Sequence, residues 1–180
     1  MIFFFLYSII KLYKIDRNEA YMIKILFICL GNICRSPMAE FVMKDCVKKR
    51  GLESYFWIDS AATSAYNEKY QNSIYPEVKE ILKENHIPFT DRISRHMRKE
   101  DYEKYDYIIG MDEENIRDIL DIIGTDSEQK VYRLLDFTET PRDIIDPWYY
   151  GNFDKTYDDV TYGCEKLLEF VLNSKQEMIK

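Results

Sequence analysis

Two hydrophobic periodicities alternate along this chain. Short apolar runs at residues 24–28 (KILFI), 56–60 (FWIDS), 107–111 (YIIGM) and 131–135 (VYRLL) predict four strands. Between them apolar positions recur every three or four residues, the spacing of one helical face. In residues 37–50 that face carries Ala39, Val42, Met43, Cys46 and Val47, with Ser36 placed to cap the helix, Pro37 suited to its first position and Gly51 to stop it. Val78, Ile81 and Leu82 mark a second helix over about 75–85. Asp112 caps a third, running to Ile123 with Ile116, Ile119 and Leu120 on its stripe. Residues 153–174 predict the last, with Val160, Cys164, Leu167, Leu168 and Val171 inward. Strands alternating with amphipathic helices imply parallel β/α/β units and a doubly wound α/β sheet. In such a sheet a ligand sits beyond the carboxyl ends of the strands. Two loops leave those ends with chemistry in them, residues 29–36 and 146–151. No internal repeat or linker divides the chain, so residues 22–180 are expected to form one domain.

Residues 1–21 stand apart. The apolar stretch 1–10 (MIFFFLYSII) is too short to span a bilayer, which takes about 20 residues. It lacks the basic start and the small-residue cleavage site of a secretory signal. It is expected to be an upstream mis-start or a poorly ordered extension outside the fold, with a weak membrane-surface tether as the alternative.

Charge and cysteine usage narrow the function. With 25 Lys and Arg against 32 Asp and Glu, the net charge is −7, which excludes a general nucleic-acid binder. It leaves room for phosphorylated substrates, because a small pocket can be locally positive on an acidic protein. Four cysteines in a chain of 180 residues point to a reducing compartment, and so to the cytoplasm, rather than to a disulfide scaffold. Cys29 and Cys34 have neither zinc-pair nor redox C-x-x-C spacing, and His86 and His96 lie near no cysteine. No metal or cofactor is expected.

The most informative segment is CLGNICRSP, residues 29–37. It follows a buried strand, contains Gly31 for a tight turn, and ends in a hydroxyl and a proline at a helix start. Backbone N–H groups arranged this way make an anion cradle with the helix dipole aimed at it. A thiol at its mouth, Cys29, is expected to be acidified from about 8.5 into the range of roughly 3.5–7.5. Arg35 can bind two oxygens of a phosphoryl group with its planar fork. Ser36 can donate to the thiolate. The alternative reading is an inert core cysteine beside an ordinary arginine.

This loop, with Met38, Ala39 and Glu40 after it, resembles the signature of the low-molecular-weight protein-tyrosine phosphatases. DSAATS at 59–64 and DPWY at 146–149 resemble two further segments of that family, in the same order and with similar spacing, and the likeness runs from Met22 to about Leu172. The resemblance implies a three-layer α/β/α, flavodoxin-like fold with a four-stranded parallel sheet. It implies hydrolysis of phosphotyrosine in proteins, with Cys29 as nucleophile, Arg35 as phosphate-binding and transition-state residue, and Asp146 as general acid and then base. Leu30, Gly31, Asn32, Ile33, Cys34 and Ser36 would form the loop. Asn32 would take a left-handed conformation held by a hydrogen bond from Ser60. The resemblance further implies that Cys34 and Cys29 can pair reversibly under oxidant. Cys46 and Cys164 fall on inner helix faces and read as core.

Asp146 fits the chemistry on its own terms, since a leaving phenoxide needs a proton and Pro147 stiffens the loop that delivers it. Tyr66, Trp148 and Tyr149 are expected to wall a pocket deep enough for a phosphotyrosine ring, which phosphoserine would be too short to cross. The match departs from the family in two places. The acid loop carries one aromatic more before Gly151 than the commonest form, which leaves open which of Trp148, Tyr149 and Tyr150 faces substrate. Some members place a His after the I-P-x-[ST] segment to steady the loop hydroxyl, whereas here Asp91 follows Thr90 and neither His86 nor His96 is an obvious replacement. Other readings are a protein-arginine phosphatase, disfavoured by Ile33 and the aromatic run 148–150, and a thiol-dependent arsenate reductase, which lacks its resolving cysteines in residues 80–110. A non-catalytic phosphate-binding module would have no use for Cys29 and Asp146 together.

Overall fold

The computed structural model describes residues 22–177, so the expectation for residues 1–21 lies outside the described residues. Four strands, β1 (Ile23–Cys29), β2 (Phe56–Ala62), β3 (Tyr107–Gly110) and β4 (Val131–Arg133), form one sheet in the order β2-β1-β3-β4 with every pairing parallel. The helices are α1 (Arg35–Lys49), α2 (Tyr66–Lys69), α3 (Pro76–Glu84), α4 (Asp101–Lys104), α5 (Glu113–Ile123), α6 (Pro147–Tyr150) and α7 (Phe153–Glu177). This is the three-layer α/β/α arrangement that the alternating pattern predicts.

The layers follow from the pleat of β1. Successive side chains point to opposite faces. Ile23, Ile25, Phe27 and Cys29 therefore enter the cluster that holds Ala39 and Val42 of α1 with Val160, Leu167 and Leu168 of α7. Leu26 and Ile28 enter the opposite cluster with Ile108, Ile119 and Ile123. Each such side chain, fully buried, contributes about 1.5–3 kcal/mol, an upper estimate. The strand order also fixes where a ligand can bind. From β1 the chain moves to one side for β2 and to the other for β3, so the carboxyl ends of β1 and β3 open a crevice between diverging connections.

Several boundaries differ from expectation for physical reasons. Ser36 does not cap α1: the helix begins at Arg35, its flanking Cys34 makes no side-chain cap, and Ser36 is its second residue. Pro37 is third rather than first, still within the turn whose N–H groups have no helical acceptor. Gly51, at φ 66°, follows the helix as expected. β4 stops at Arg133, where Asp136 accepts the Arg133 N–H at 2.9 Å and turns residues 134–137 into a 3-10 helix that buries Leu134 and Leu135. Cys164 is fully buried as expected, while Cys46 is half-buried at the edge of the core. Among the described residues no helix is long and apolar enough to cross a membrane.

Candidate active site

Cys29 is the last residue of β1 and Arg35 the first of α1, so residues 30–34 must turn a strand into a helix. Their carbonyls are held from outside. Thr63 N donates to the Cys29 carbonyl and Ser64 N to that of Leu30, each at 3.0 Å, and Tyr75 N donates to Ile33 at 2.9 Å. The Gly31 carbonyl accepts from Asn67 Nδ2 at 2.9 Å and Ser94 Oγ at 3.0 Å. In a trans peptide the next N–H points the opposite way, and no peptide here is cis. The N–H groups of Leu30, Gly31, Asn32 and Cys34 therefore face the inside of the loop, over the N-terminus of α1. Asn32 N does so visibly, donating to Cys29 Sγ at 3.2 Å. Gly31 lets Asn67 come close: a Cβ there would lie 2.6 Å from Asn67 Nδ2 and displace the amide that holds the Gly31 carbonyl.

Asn32 adopts φ 52°, the left-handed conformation that asparagine tolerates better than most residues. Its side chain donates to Ser36 Oγ at 2.9 Å and to Ser60 Oγ at 2.8 Å. The bond with Ser60 thus runs from Asn32 rather than to it, because the Ser60 hydroxyl spends its own proton on Glu40 Oε2 at 2.7 Å. Ser36 Oγ lies 3.1 Å from Cys29 Sγ and 3.3 Å from the Ala61 carbonyl. With the Asn32 amide already donating to it, that hydroxyl has one proton and two acceptors in reach, the Ala61 carbonyl and the sulfur, of which a thiolate is the stronger. The site claims the hydroxyl that the sequence reading assigned to the helix cap.

Arg35 is 3% exposed, and its fork is divided. Nη1 donates to Asp112 Oδ2 and, at 2.9 Å, to the Ile144 carbonyl, while Nη2 donates to Asp146 Oδ2 at 2.7 Å. Nε is buried without a hydrogen-bond partner among the described residues. Burial works against the guanidinium charge, but Cys29, Asp146 and Asp112 outweigh it and raise its pKa above the ordinary value. Asp112 does cap α5, accepting Asn115 N at 2.7 Å, but the sequence reading missed its second role as an Arg35 partner. Asp146 caps α6 by accepting Trp148 N at 3.0 Å. Burial, then the nearby Cys29, push the Cys34 thiol far up, so Cys34 is a neutral thiol at neutral pH.

These groups floor a cleft of about 850 Å³ lined by Leu30, Gly31, Ile33 and Cys34 and walled by Tyr66, Trp148 and Tyr149. All three expected aromatics line it, whereas Tyr150 does not and is 76% exposed. Tyr75, which the sequence reading passed over, joins the wall and meets Trp148 edge-on at 5.0 Å between ring centroids. His86 is exposed. His96 binds the Thr63 carbonyl at 2.9 Å behind the site. Among the described residues no group of His, Cys, Asp and Glu could hold a metal ion.

Comparison with known proteins agrees with the loop chemistry. The model of the family described as low molecular weight phosphotyrosine protein phosphatase matches residues 24–177. The low molecular weight protein-tyrosine-phosphatase YfkJ of Bacillus subtilis is 39% identical over 157 residues, 86% of this chain and 99% of that protein. The corresponding phosphatase PtpA of Staphylococcus aureus is 33% identical over 152 residues, covering 84% and 95%. The crystal structure of YfkJ matches with a TM-score of 0.82 at 38% identity, covering 89% of this chain and 99% of that one. That of a protein tyrosine phosphatase from Entamoeba histolytica matches with a TM-score of 0.78 at 33% identity, covering 85% and 99%. A sulfur in an amide-lined loop, an arginine with a spare donor and a carboxylate across from them, on this sheet and among these relatives, place the chain in the low molecular weight phosphotyrosine protein phosphatase family.

Proposed function

We propose that this protein hydrolyses phosphotyrosine in protein substrates, and small aryl phosphates, through a cysteinyl-phosphate intermediate without a metal. The observation that carries the reading is the convergence of Cys29, Arg35 and Asp146 on the floor of one aromatic-walled cleft. The phosphoryl group enters over the inward N–H groups of the loop and takes Nε and Nη2 of Arg35, displacing Asp146 from Nη2. Asp146, no longer paired with Arg35, takes up a proton from solvent; the Cys29 thiolate attacks phosphorus in line, the bond from phosphorus to the phenolic oxygen breaks, and Asp146 gives that proton to the departing phenoxide. Asp146 then takes a proton from water as that water attacks phosphorus. The S–P bond breaks, and the Ser36 hydroxyl stabilises the thiolate that leaves. Loop amides and guanidinium hold the charge on the equatorial oxygens throughout.

Tyr66, Tyr75, Trp148 and Tyr149 set the depth between cleft mouth and sulfur, which a phenyl ring spans and a serine side chain does not. The same walls favour tyrosine over arginine as the phosphate carrier. Four free cysteines, the nucleophile among them, suit a reducing compartment, and the cytoplasm is the place of work this reading assigns. Should peroxide convert Cys29 to a sulfenic acid, the Cys34 thiol can condense with it to a disulfide, releasing water and sparing Cys29 further oxidation.

Turnover of matched peptides tests the reading. Phosphotyrosine peptide should be hydrolysed with phosphoserine and phosphoarginine peptides close to background, and Cys29→Ser should be inert on all three. A clear preference for phosphoarginine would reassign the substrate, and an active Cys29→Ser protein would remove the nucleophile.

A further inference from the structure

Behind the loop, away from the cleft, lies a polar cluster that the catalytic scheme does not use. Glu40 on α1, Ser60 on β2 and Arg92, from the segment between α3 and α4, meet there, and none of them lines the cleft. The Glu40 side chain is 3% exposed, and a carboxylate so buried must be paired. Its Oε2 accepts Arg92 Nη2 at 2.7 Å and the Ser60 hydroxyl at 2.7 Å, and its Oε1 accepts Lys44 Nζ. Arg92 continues inward, Nη2 also donating to Ser60 Oγ and Nη1 to Asn32 Oδ1 at 3.1 Å.

Counting the bonds at Asn32 shows what this accomplishes. A side-chain amide has two N–H donors and an oxygen with two acceptor sites. Nδ2 serves Ser36 and Ser60, and Oδ1 accepts from Arg92 and, at 3.1 Å, from Arg95 N. The amide is saturated and cannot turn over without losing every partner. Asn32 in turn delivers two things to the sulfur, its own N–H and the orientation of the Ser36 hydroxyl.

We propose that Arg92, held by Glu40, is a positioning residue for the nucleophile: it locks the Asn32 amide and so aims both protein donors at Cys29. The proposal rests on the phosphatase reading for its consequence but not for its geometry. Arginine suits the place because its planar fork reaches Glu40 and Ser60 with one nitrogen and the Asn32 amide oxygen with the other. The charged groups around the assembly are Arg35, Asp112 and Asp146 on the cleft side and Lys44, Arg95, Asp59 and Asp101 behind it.

The test follows alkylation of Cys29 by iodoacetamide against pH, read by mass spectrometry on the full chain, beside kcat and KM for p-nitrophenyl phosphate. Arg92→Met should move the alkylation profile to higher pH. It should lower kcat by about tenfold, the worth of one charge-assisted hydrogen bond, with KM within about twofold. Arg92→His should behave like the parent while its imidazole is protonated and like Arg92→Met once that proton is lost, at a pH above the free value of about 6.5 because the buried Glu40 carboxylate favours the cation, adding a second inflection. Because it keeps a cation beside Glu40 at low pH, it carries the test if Arg92→Met does not fold. An Arg92→His profile that overlays the parent, or a loss of melting temperature with an unmoved profile, overturns the proposal. If the parent turns over no phosphate ester, the phosphatase reading fails, and alkylation still decides the role of Arg92.

Discussion

One guanidinium at the floor of the cleft serves two carboxylates with different duties. Asp112 and the Ile144 carbonyl anchor Nη1, Asp146 holds Nη2, and Nε has no partner among the described residues. On the proposed mechanism a phosphoryl oxygen takes Nη2 and so frees Asp146 for proton transfer. Replacing it with Asn keeps the bond to Trp148 N but removes the transferable proton. Asp146→Asn should lower kcat by about 10²–10⁴-fold for phenyl phosphate and much less for p-nitrophenyl phosphate, whose phenolate leaves unaided. A plot of log kcat against leaving-group pKa should steepen, and an equal loss on both substrates would argue against proton donation. The sequence disclosed Asp146 because Asp-Pro beside aromatics is a local pattern. It did not disclose the partnership of Asp112 with Arg35. A carboxylate at a helix start is already explained by capping, and its second partner lies 77 residues away. Arg92 and Glu40 were hidden likewise, their contacts to residues 32 and 60 having no signature along the chain.

Elements were legible where hydrophobic period is a local property, and less so where side-chain bonds override it. The four main helices and β1 to β3 follow the apolar pattern to within a few residues. The turn-length helices α2, α4 and α6 are too short to show a period, and β4 was shortened by Asp136. The segment carrying Asp146 depends on such bonds as well. Arg142 grips Asp159 of α7 with both ends of its fork, at 2.8 and 2.7 Å, and Ile144 N donates to the Met111 carbonyl at 2.8 Å. Burial opposes the charge of Asp159, but Arg142 and Lys155 prevail and hold its carboxyl below the ordinary 3.8. A pKa depressed in the folded state gives stability that is present above the unfolded value and lost as pH falls through the folded one. Asp159→Asn should therefore cost about 1–2 kcal/mol at pH 7, a figure reduced because Arg142 is half in solvent. The gap should begin to shrink below about pH 4, where the carboxylate of the unfolded chain takes up its proton, and close only below the lower value of the folded state. Urea unfolding at pH 7 and pH 3 measures it, and a gap that stays constant would deny the pair its role.

At the scale of the molecule, strand order decides where chemistry is possible. Because β1 lies between β2 and β3, its carboxyl end opens at the reversal of the winding, and the residue placed there is Cys29. The short apolar runs made the parallel sheet readable, and residues 29–37 made readable the turn from strand to helix on which the proposed anion site rests. A net charge of −7 is compatible with both, because backbone N–H groups offer donors to an anion whatever the charge of the whole protein. The central claim is that phosphorus passes through the Cys29 sulfur. Rapid acid quench during turnover of p-nitrophenyl phosphate, followed by peptide mapping, tests it most directly. The expected result is one phosphoryl group on the peptide containing Cys29, appearing with the burst of p-nitrophenol and absent from Cys29→Ser. A burst with no covalent adduct, or with the phosphoryl group on another side chain, would contradict it.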